Sequence, residues 1–458
     1  MLMALFHYLR VRYGRRFESR AQLEHWQEKR VLAHLKWVAR NSLFYRARLA
    51  QVQDSSQGDY ANWRQLPLMD KAQMMENFTE LNTVGIDRDE AMAAAIRAEN
   101  SRDFSPTLPG ARGPITVGLS SGTSGNRGLF LVSSRERWQH AGTILARVLP
   151  RSLFGGHRVA FFLRANSNLY TASRSRWLKF EYFDLLAPLA EHLERLNAYQ
   201  PTLLVGPPSL LRQLAEATQR GELKISPEKV VSVAEVLDPI DEAYLEKTFG
   251  KKVHQVYQCT EGFLGVTCRE GRLHLNEDFV HIEKDYLDRA AGKFMPIITD
   301  FTRRSQPIVR YRLNDILTEA KEPCACGSIF TALEWIEGRA DDLLYFHSAS
   351  PNRPPVPVFP DFIRNAVMVG SSAVIEYQVR QDLPGQLRMA LKFAAEANEP
   401  AERRKIEAQL EALAARIGAR APVCEVEVGF EARGLTKQRR IKRNYSEAAV
   451  NVLTDTRS

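Results

Sequence analysis

Between residues 115 and 320, short apolar runs rich in β-branched and aromatic residues alternate with runs of helical spacing. The predicted strands are 115–119, 159–163, 202–205 and 230–233, and the predicted helices are 209–218 and 241–248. Buried strands that alternate with helices predict α/β layers around a largely parallel sheet. The Gly-Pro-Pro-Ser run at 206–209 predicts a helix start with Ser209 as a candidate cap.

The segments on either side differ in texture. Residues 15–100 are predicted to be mostly helical, because Leu, Ala, Glu, Arg and Gln recur there at helical spacing. Five prolines between 351 and 360 predict a loop without regular structure. Beyond it, the predicted elements are strands at 373–380, 387–393 and 423–428 and a helix at 400–417. We therefore expect a large N-terminal domain, 1–338, and a small α+β C-terminal domain, 339–458, with the boundary near 338–342.

The charge balance limits the class of partner. A net charge of +9 suits an anionic ligand or an acidic partner protein. The basic residues are scattered apart from 433–443, and no nucleic-acid-binding motif is present, so no nucleic-acid partner is expected. Five cysteines in 458 residues argue against a disulfide framework.

The N-terminal residues are apolar but too few to span a bilayer, and no other run is long enough, so no transmembrane segment is expected. Residues 1–9 precede the basic residues 10–16, which is the reverse of the order in a secretory signal. We predict an amphipathic helix that packs on the body, with membrane contact as the alternative, and a cytoplasmic location.

A glycine- and hydroxyl-rich segment, 120–128, follows the predicted strand 115–119. Its three glycines allow positive φ, so that several backbone amides can turn toward one point, and its four hydroxyls add donors. Such a nest suits a polyphosphate. The alternative is a mobile surface loop.

Four further motifs follow this loop in order: 257–262, 311–315, 338–342 and the late Lys437. In this order the five resemble the motifs of the adenylate-forming superfamily, which includes acyl-CoA synthetases and the adenylation domains of peptide synthetases. The closest resemblance is to the branch with phenylacetate-CoA ligases and coenzyme F390 synthetase relatives. It runs from about residue 30 to the C-terminus and implies a large adenylation domain with a small mobile domain that carries the catalytic lysine.

The resemblance implies that the loop binds the β- and γ-phosphates of ATP. The loop residues concerned are Ser120, Ser121, Gly122, Thr123, Ser124, Gly125 and Arg127. This chain has Asn126-Arg127 where a Pro-Lys pair is common, so Arg127 either supplies the cation or is a solvated loop residue. Ala234 and Glu235 match the segment that passes the adenine edge.

The same resemblance implies roles for the later motifs. Tyr257 would stack on adenine, or else is a core tyrosine, and Thr260 would contact the α-phosphate. Glu261 is an oxygen ligand of the kind that Mg²⁺ prefers. Asp315 would accept the ribose hydroxyls, with Arg339 reinforcing that contact; the alternative for Asp315 is a turn former.

Lys437 matches the catalytic lysine, although Thr436 replaces the usual glycine before it. Its ammonium would bridge the carboxylate of the acid and the α-phosphate as charge develops there. We prefer Lys437 to Lys442 for this role, and the alternative is a solvated basic patch. Asp341 matches the hinge about which the small domain rotates.

Cys268, His274, Cys324 and Cys326 are the donor types of a tetrahedral structural zinc site. The Cys-x-Cys-Gly sequence and the upstream Cys and His also look like features of the phenylacetate-ligase branch. The alternative is free cysteines with a surface histidine. Zinc here would brace the loops that carry Glu261 and Asp315.

The resemblance places the acid beside the nucleotide. The candidate acid-binding residues are Asn166, Tyr170, Tyr182, Gly206, Pro207 and Val236. Aromatic and small turn residues favour a compact aryl acid, such as a hydroxybenzoate or phenylacetate, over a long acyl chain. The implied product is an acyl-AMP, from which the thiol of coenzyme A or of an acyl carrier protein takes the acyl group. The alternatives are a non-thiol acceptor, as in a coenzyme F390 synthetase relative, and a nonenzymatic nucleotide-binding module.

Overall fold

The computed structural model describes residues 2–14, 16–53, 60–120, 127–163, 177–351, 353–427, 430 and 439–445. The chain divides into two compact units. The first contains Met1–Leu313 and Glu319–Glu334, and the second contains Asn314–Thr318 and Trp335–Ser458. The second unit thus takes in a short stretch well before the predicted boundary at 338–342, and the predicted division of roles between domains stays a prediction.

The first unit begins with helices, as predicted. They are α1 (Leu2–Leu9), α2 (Arg20–Asn41), α3 (Leu43–Ala50), α4 (Lys71–Glu76), α5 (Phe78–Leu81) and α6 (Arg88–Ser101). Ser19, Ser42, Asp70 and Asp87 cap four of these helices by accepting backbone amides. Among the described residues, every helix is too short or too polar to cross a bilayer.

A small antiparallel sheet follows. Its strands are β1 (Leu108–Gly110), β2 (Gly113–Leu119) and β3 (Leu129–Ser133). β2 and β3 pair as a hairpin in which Leu119 lies opposite Leu129, so the segment 120–128 is the hairpin connection. Helix α7 (Ser134–Val148) starts directly after β3, with Ser133 and Glu136 forming a capping box.

The predicted parallel sheet is confirmed for five strands. They are β4 (His157–Leu163), β5 (Leu178–Asp184), β6 (Leu203–Gly206), β7 (Lys229–Val233) and β8 (Val253–Cys259), in the spatial order β5-β4-β6-β7-β8. Helices α8 (Leu189–Tyr199), α9 (Pro208–Gln219) and α10 (Pro239–Phe249) connect them. The prediction that Ser209 caps α9 is wrong: Pro207 is the N-cap residue and Pro208 occupies the first turn, where its missing amide costs nothing.

Beyond β8 the first unit continues with antiparallel strands. These are β9 (Gly262–Thr267), β10 (Leu273–Leu275), β11 (Val280–Asp288), β12 (Lys293–Asp300) and β13 (Ile308–Arg312). No helix interrupts residues 260–313, all of which the structure describes. Glycines with positive φ, Gly271 and Gly292, form the tight turns between them, so the sheet is mixed rather than parallel throughout.

The second unit is a small α+β assembly. Two strands belong to it only in part, because β14 (Asp315–Glu319) ends and β15 (Ala332–Arg339) begins in the segment Glu319–Glu334 of the first unit. Its other strands and helices are β16 (Leu344–Phe346), β17 (Val356–Val358), α11 (Pro360–Gly370), β18 (Val374–Gln381), β19 (Gln386–Phe393), α12 (Glu399–Arg416), β20 (Val423–Val426) and β21 (Ile441–Arg443). A four-stranded sheet has the order β20-β19-β18-β21. The predicted loop at 351–360 is wrong in part, because Val356–Val358 pairs with β16 and Pro360 starts α11. Proline is tolerated in a two-stranded edge pair and in the first helical turn.

Candidate functional site

The carboxyl ends of β6, β7 and β8 lie at one edge of the parallel sheet, where predicted site residues follow each strand. Gly206 ends β6 and Pro207 follows it, and Ala234 and Glu235 follow β7. The Ser209 amide donates to Glu235 Oε2 over 3.3 Å, which ties the two strand ends together. Ala234 has a φ of +73°, a conformation that costs energy in a residue with a Cβ and that concentrates at functional sites.

The turn after β8 carries the third group of predicted residues. The side chain of Tyr257 is only 7% exposed, which fits the core alternative, and its stacking on adenine stays a prediction. The Tyr311 hydroxyl donates to Glu261 Oε1 over 3.0 Å. Burial and the adjacent Glu261 carboxylate raise the pKa of Tyr311, so the hydroxyl stays protonated and fixes the carboxylate in place.

The ends of the predicted phosphate loop are pinned together. Ser120 and Gly128 exchange two hydrogen bonds, from the Ser120 amide to the Gly128 carbonyl (2.7 Å) and from the Gly128 amide to Ser120 Oγ (2.8 Å). The intervening Ser121, Gly122, Thr123, Ser124 and Gly125 lie outside the described residues. The hairpin therefore presents this segment from a fixed base.

A cation that the sequence did not point to lies at this base. Lys71 Nζ is 3.5 Å from Ser120 Oγ, and a Cβ built at Gly128 would lie 3.1 Å from Lys71 Cε. Lys71 is the first residue of α4, and the backbone of Met69 pairs with β13 just before it. Only the Asp70 cap marks this site in the sequence, and a cap alone does not identify a ligand-binding lysine.

Arg127, the predicted cation of the loop, is engaged elsewhere. Its guanidinium forms a two-point ion pair with Glu99 and donates to the Ser120 carbonyl over 3.2 Å. The pair raises the pKa of Arg127 and largely balances its charge. Arg127 thus holds the loop base, and its predicted contact with phosphate stays a prediction.

A second unpredicted group connects the hairpin to the turn after β8. Arg303 donates to the Thr260 carbonyl over 2.7 Å and to Gln306 Oε1 over 3.3 Å. The Gln306 side chain also accepts from the Leu131 amide and donates to the Leu129 carbonyl, both in β3. These partners in β3 are more than 170 residues away along the chain, so no local pattern marks Gln306.

His140 of α7 lies beside this group. Its Nε2 is 3.4 Å from Gln258 Nε2, and its ring meets that of Phe263 edge-on. Burial, with a smaller contribution from the nearby Arg303, lowers the pKa of His140 to about 4. The ring is therefore neutral near pH 7.

The four predicted zinc ligands come together in the first unit. The donor atoms of Cys268, His274, Cys324 and Cys326 all lie within 4.8 Å of one another. The sulfurs of Cys268 and Cys324 are 3.7 Å apart, and Cys326 Sγ is 3.5 Å from His274 Nε2. Tetrahedral coordination with a Zn–S bond of about 2.3 Å requires a sulfur–sulfur separation of about 3.8 Å.

The surroundings of this cluster fit a metal ion. His274 Nδ1 lies 3.0 Å from the Phe330 carbonyl, so Nδ1 carries the proton and leaves the Nε2 lone pair toward the cysteines. Cys268 and Cys324 each begin a tight turn whose last residue is a glycine with positive φ, Gly271 and Gly327. The second turn contains two ligands, Cys324 and Cys326, and the first reverses the chain between Cys268 and His274.

The predicted acid-binding residues are only partly described. Asn166 and Tyr170 lie outside the described residues. The Tyr182 hydroxyl donates to the carbonyl of Leu163, the last residue of β4, over 2.9 Å. Pro207 is buried and Val236 is exposed, so Pro207 packs into the strand end while Val236 stays at the surface.

The second unit holds the remaining predicted residues. Arg339 Nε is 3.8 Å from Asp315 Oδ1, so the two residues assigned to the ribose are neighbours. The Asp341 carbonyl accepts from Arg443 Nε over 3.2 Å, while Lys437 lies outside the described residues. The roles of these four residues stay predictions.

Comparison with known proteins gives partial sequence relatives. No protein-family model matches the chain. Indoleacetate–lysine synthetase of Pseudomonas savastanoi is 31% identical over 139 residues, which are 30% of this chain and 34% of that protein. Phenylacetate-coenzyme A ligase of Thermus thermophilus is 27% identical over 223 residues, which are 45% of this chain and 47% of that protein. The matches thus span less than half the length of either relative.

Similarity to solved structures extends over nearly the whole chain. 2-Hydroxyisobutyryl-CoA ligase with 2-HIB-AMP, in its postadenylation state, has a TM-score of 0.67 at 17% identity and covers 96% of this chain and 93% of its own. GH3.15 acyl acid amido synthetase has a TM-score of 0.55 at 14% identity and covers 95% and 93%. The chain has the α/β fold of these two structures. Together with the two partial sequence relatives, this fold bears out the predicted resemblance to the adenylate-forming superfamily.

We expect the depressed pKa of His140 to make the protein sensitive to acid. The unfolded state takes up the proton near pH 6.5 and the folded state only near pH 4, so the stabilisation is lost as pH falls through that window. Between pH 7 and pH 5, His140→Gln should lose less unfolding free energy than the parent, by roughly 2 kcal/mol. Urea titrations at both pH values measure this, with the exposed His25→Gln as the control. An equal loss in parent and His140→Gln would contradict it.

Proposed function

We propose that this protein uses ATP and Mg²⁺ to adenylate a carboxylic acid and then transfers the acyl group to an acceptor. The acid is a compact aryl acid of the hydroxybenzoate or phenylacetate class. The acceptor is the phosphopantetheine thiol of coenzyme A or of an acyl carrier protein, which makes the enzyme an AMP-forming acid–thiol ligase.

The convergence of predicted nucleotide and acid residues at one sheet edge carries this proposal. Gly206 ends β6, and Glu235 and Thr260 follow the adjacent parallel strands β7 and β8. The Ser209–Glu235 and Arg303–Thr260 hydrogen bonds join these strand ends to their neighbours. In open α/β sheets, ligands bind in the crevice at the carboxyl ends of the strands. The independent fold match to acyl-adenylate-forming ligases supports the same assignment.

Lys71 is proposed to contact the β- or γ-phosphate of ATP, together with the loop 120–128. Its ammonium lies at the base of the loop, 3.5 Å from Ser120 Oγ, and the ion pair between Arg127 and Glu99 lies at the same base. Charge-assisted contacts to phosphate are stronger than neutral ones. In this arrangement Arg127 orders the loop and Lys71 supplies the cation.

Glu261 is proposed to hold Mg²⁺. The carboxylate is an oxygen ligand oriented by the Tyr311 hydroxyl, and this donor chemistry fits a magnesium ion that keeps most of its waters. When bound, the ion would neutralise part of the charge of the triphosphate oxygens. The chain's own contribution is to fix the carboxylate at the end of β8.

The chemistry proceeds in two displacements. An oxygen of the acid's carboxylate attacks the α-phosphorus of ATP, pyrophosphate leaves, and acyl-AMP forms. The acceptor then attacks the acyl carbonyl, loses its proton, and displaces AMP. We assign the stabilisation of the first transition state to Lys437, ribose binding to Asp315 and Arg339, and the hinge to Asp341.

An amine acceptor is the second candidate. The sequence relative with the higher identity, 31% over 139 residues, is named as a synthetase that joins indoleacetate to lysine, and an acyl acid amido synthetase matches the fold. Either acceptor uses the same acyl-AMP, so only the second displacement differs.

The Cys268, His274, Cys324 and Cys326 cluster is proposed to hold a structural zinc ion. Four protein ligands would leave no open position for a substrate, as expected of a structural rather than a catalytic site. Its distances and its histidine hydrogen bond support this assignment.

We expect ATP–pyrophosphate exchange that depends on an aryl acid and on Lys437. Lys437→Ala should lower the exchange rate roughly a hundredfold or more, the loss typical when one group that stabilises developing charge is removed. Lys442→Ala in β21 is the control and should retain exchange. If none of the acids in a broad panel supports exchange while ATP still binds, the result would instead support the nonenzymatic nucleotide-binding module. Product analysis with coenzyme A, carrier protein and lysine then identifies the acceptor.

We expect Lys71→Met to raise the KM for ATP roughly ten- to a hundredfold, the worth of one charged hydrogen bond. Steady-state kinetics at saturating acid measure this. The double variant Glu99→Gln/Arg127→Gln removes the neighbouring ion pair without changing the net charge, and should shift the KM only about twofold. If the KM for ATP rises more in the double variant than in Lys71→Met, the phosphate contact would be assigned to Arg127 instead.

We expect the purified protein to carry one zinc ion per chain by elemental analysis. Cys326→Ser should lose the ion and lower the thermal unfolding temperature, because the metal then no longer joins the two turns. Cys424→Ser changes a cysteine outside the cluster, and this control variant should keep the zinc ion and the unfolding temperature of the parent. Full thermal stability and no metal in the parent protein would show that the four side chains act as free cysteines and a histidine.

A further inference from the structure

Helix α1 exposes a row of large apolar side chains. Leu2, Phe6 and Leu9 of the helix and Tyr13 of the π-helical turn that follows it (Arg10–Gly14) are exposed, Leu2 by 82% and Phe6 by 60%. Their spacing of four, three and four residues puts them along one side. We call this row the α1 face. Contiguous exposed apolar patches of this kind mark interaction sites in soluble proteins.

The α1 face is presented by a firmly held helix. Ala4 and Tyr8 on the opposite side are buried against α7, where a Cβ at Gly142 would lie 2.4 Å from the Ala4 carbonyl. The Tyr8 hydroxyl accepts from the Leu153 amide over 2.9 Å. Arg12 donates to the Ala146 carbonyl over 3.0 Å. The helix therefore uses one side for the body of the protein and leaves the apolar side outside.

The charge beside the α1 face has a single sign. Residues 1–17 contain four arginines and no aspartate or glutamate. Arg10 and Arg16 are exposed. Basic residues next to an exposed apolar helix face are the pattern of a helix that lies in a membrane interface.

An exposed aromatic pair lies close to the same helix. Phe154, directly after the Leu153 whose amide binds Tyr8, is exposed and meets Trp177 edge-on with the ring centroids 6.2 Å apart. Aromatic side chains with an apolar body are favoured at the level of lipid headgroups. The pair adds a second exposed apolar surface near the segment that holds the helix.

We propose that the α1 face, with the Phe154–Trp177 pair, binds the surface of a membrane that contains anionic lipids. The apolar side chains would enter the boundary between headgroups and acyl chains, and the exposed Arg10 and Arg16 would lie against lipid phosphates. A second copy of the chain fits less well, because a symmetric contact would bring residues 1–17 of both copies together, and this segment has four arginines but no carboxylate to balance them. This inference is independent of the acid, the acceptor and the adenylation chemistry.

Flotation of the full chain with lipid vesicles tests the proposal. The protein should bind vesicles of phosphatidylcholine with about 30% phosphatidylglycerol far better than pure phosphatidylcholine, and binding should weaken as salt rises from about 0.05 to 0.5 M. Phe6→Glu should lower the partition coefficient on anionic vesicles roughly tenfold or more. Leu43→Glu is the matched control, since Leu43 is also 60% exposed but begins α3, and it should bind as the parent does.

Three outcomes would overturn the proposal. One is the absence of binding to anionic vesicles. Another is an equal loss of binding in Phe6→Glu and Leu43→Glu. The third is a dimer, seen by light scattering, that Phe6→Glu dissociates while vesicles bind neither form; the α1 face would then belong to a contact between copies. Matching circular dichroism spectra and thermal unfolding of the variants exclude misfolding as the cause of any loss.

Discussion

The buried side chain of Gln306 joins the two sheets of the larger unit, and the positions of the site residues depend on it. It hydrogen-bonds both the amide of Leu131 and the carbonyl of Leu129 in β3, and it accepts from Arg303, which holds the turn after β8. A buried amide without these partners would be costly, so the three contacts form together or not at all. The base of the predicted phosphate loop and the Thr260 turn are thereby kept in one arrangement.

Glu136 reinforces this junction by binding Arg304 and Ser305, the two residues before Gln306. Its carboxylate caps α7 and also accepts the amides of Arg304 and Ser305 over 2.6 and 2.9 Å. Burial alone would raise the pKa of Glu136, but the hydrogen bonds from Ser133 and Ser305 hold it below its usual value. The start of α7, the helix that contains His140, is therefore fixed by the connection between β12 and β13, which contains Arg303.

Strand β13 positions two further site residues, Lys71 and Glu261. The Met69 amide donates to the Arg310 carbonyl, and the Arg312 amide to the Met69 carbonyl, so the chain leading into Lys71 follows β13. Tyr311 of the same strand orients Glu261. One strand thus aligns the proposed phosphate-binding cation with the proposed magnesium ligand, which explains how residues almost two hundred positions apart can serve one triphosphate.

The sequence by itself determined three of the five parallel strands (β4, β6 and β7), the helices α9 and α10 and the donor types of the Cys–His cluster, because burial periodicity and ligand chemistry are local properties of the chain. It did not reveal Lys71, whose partner Ser120 is 49 residues distant, or Gln306, whose partners in β3 are more than 170 residues distant, nor the pairing of Arg127 with Glu99. It also extended the strand–helix alternation past β8, where the strands turn back antiparallel instead. Only the tertiary structure decided these features, because a hydrogen bond or ion pair between remote segments depends on where both lie in space, and no local pattern records that.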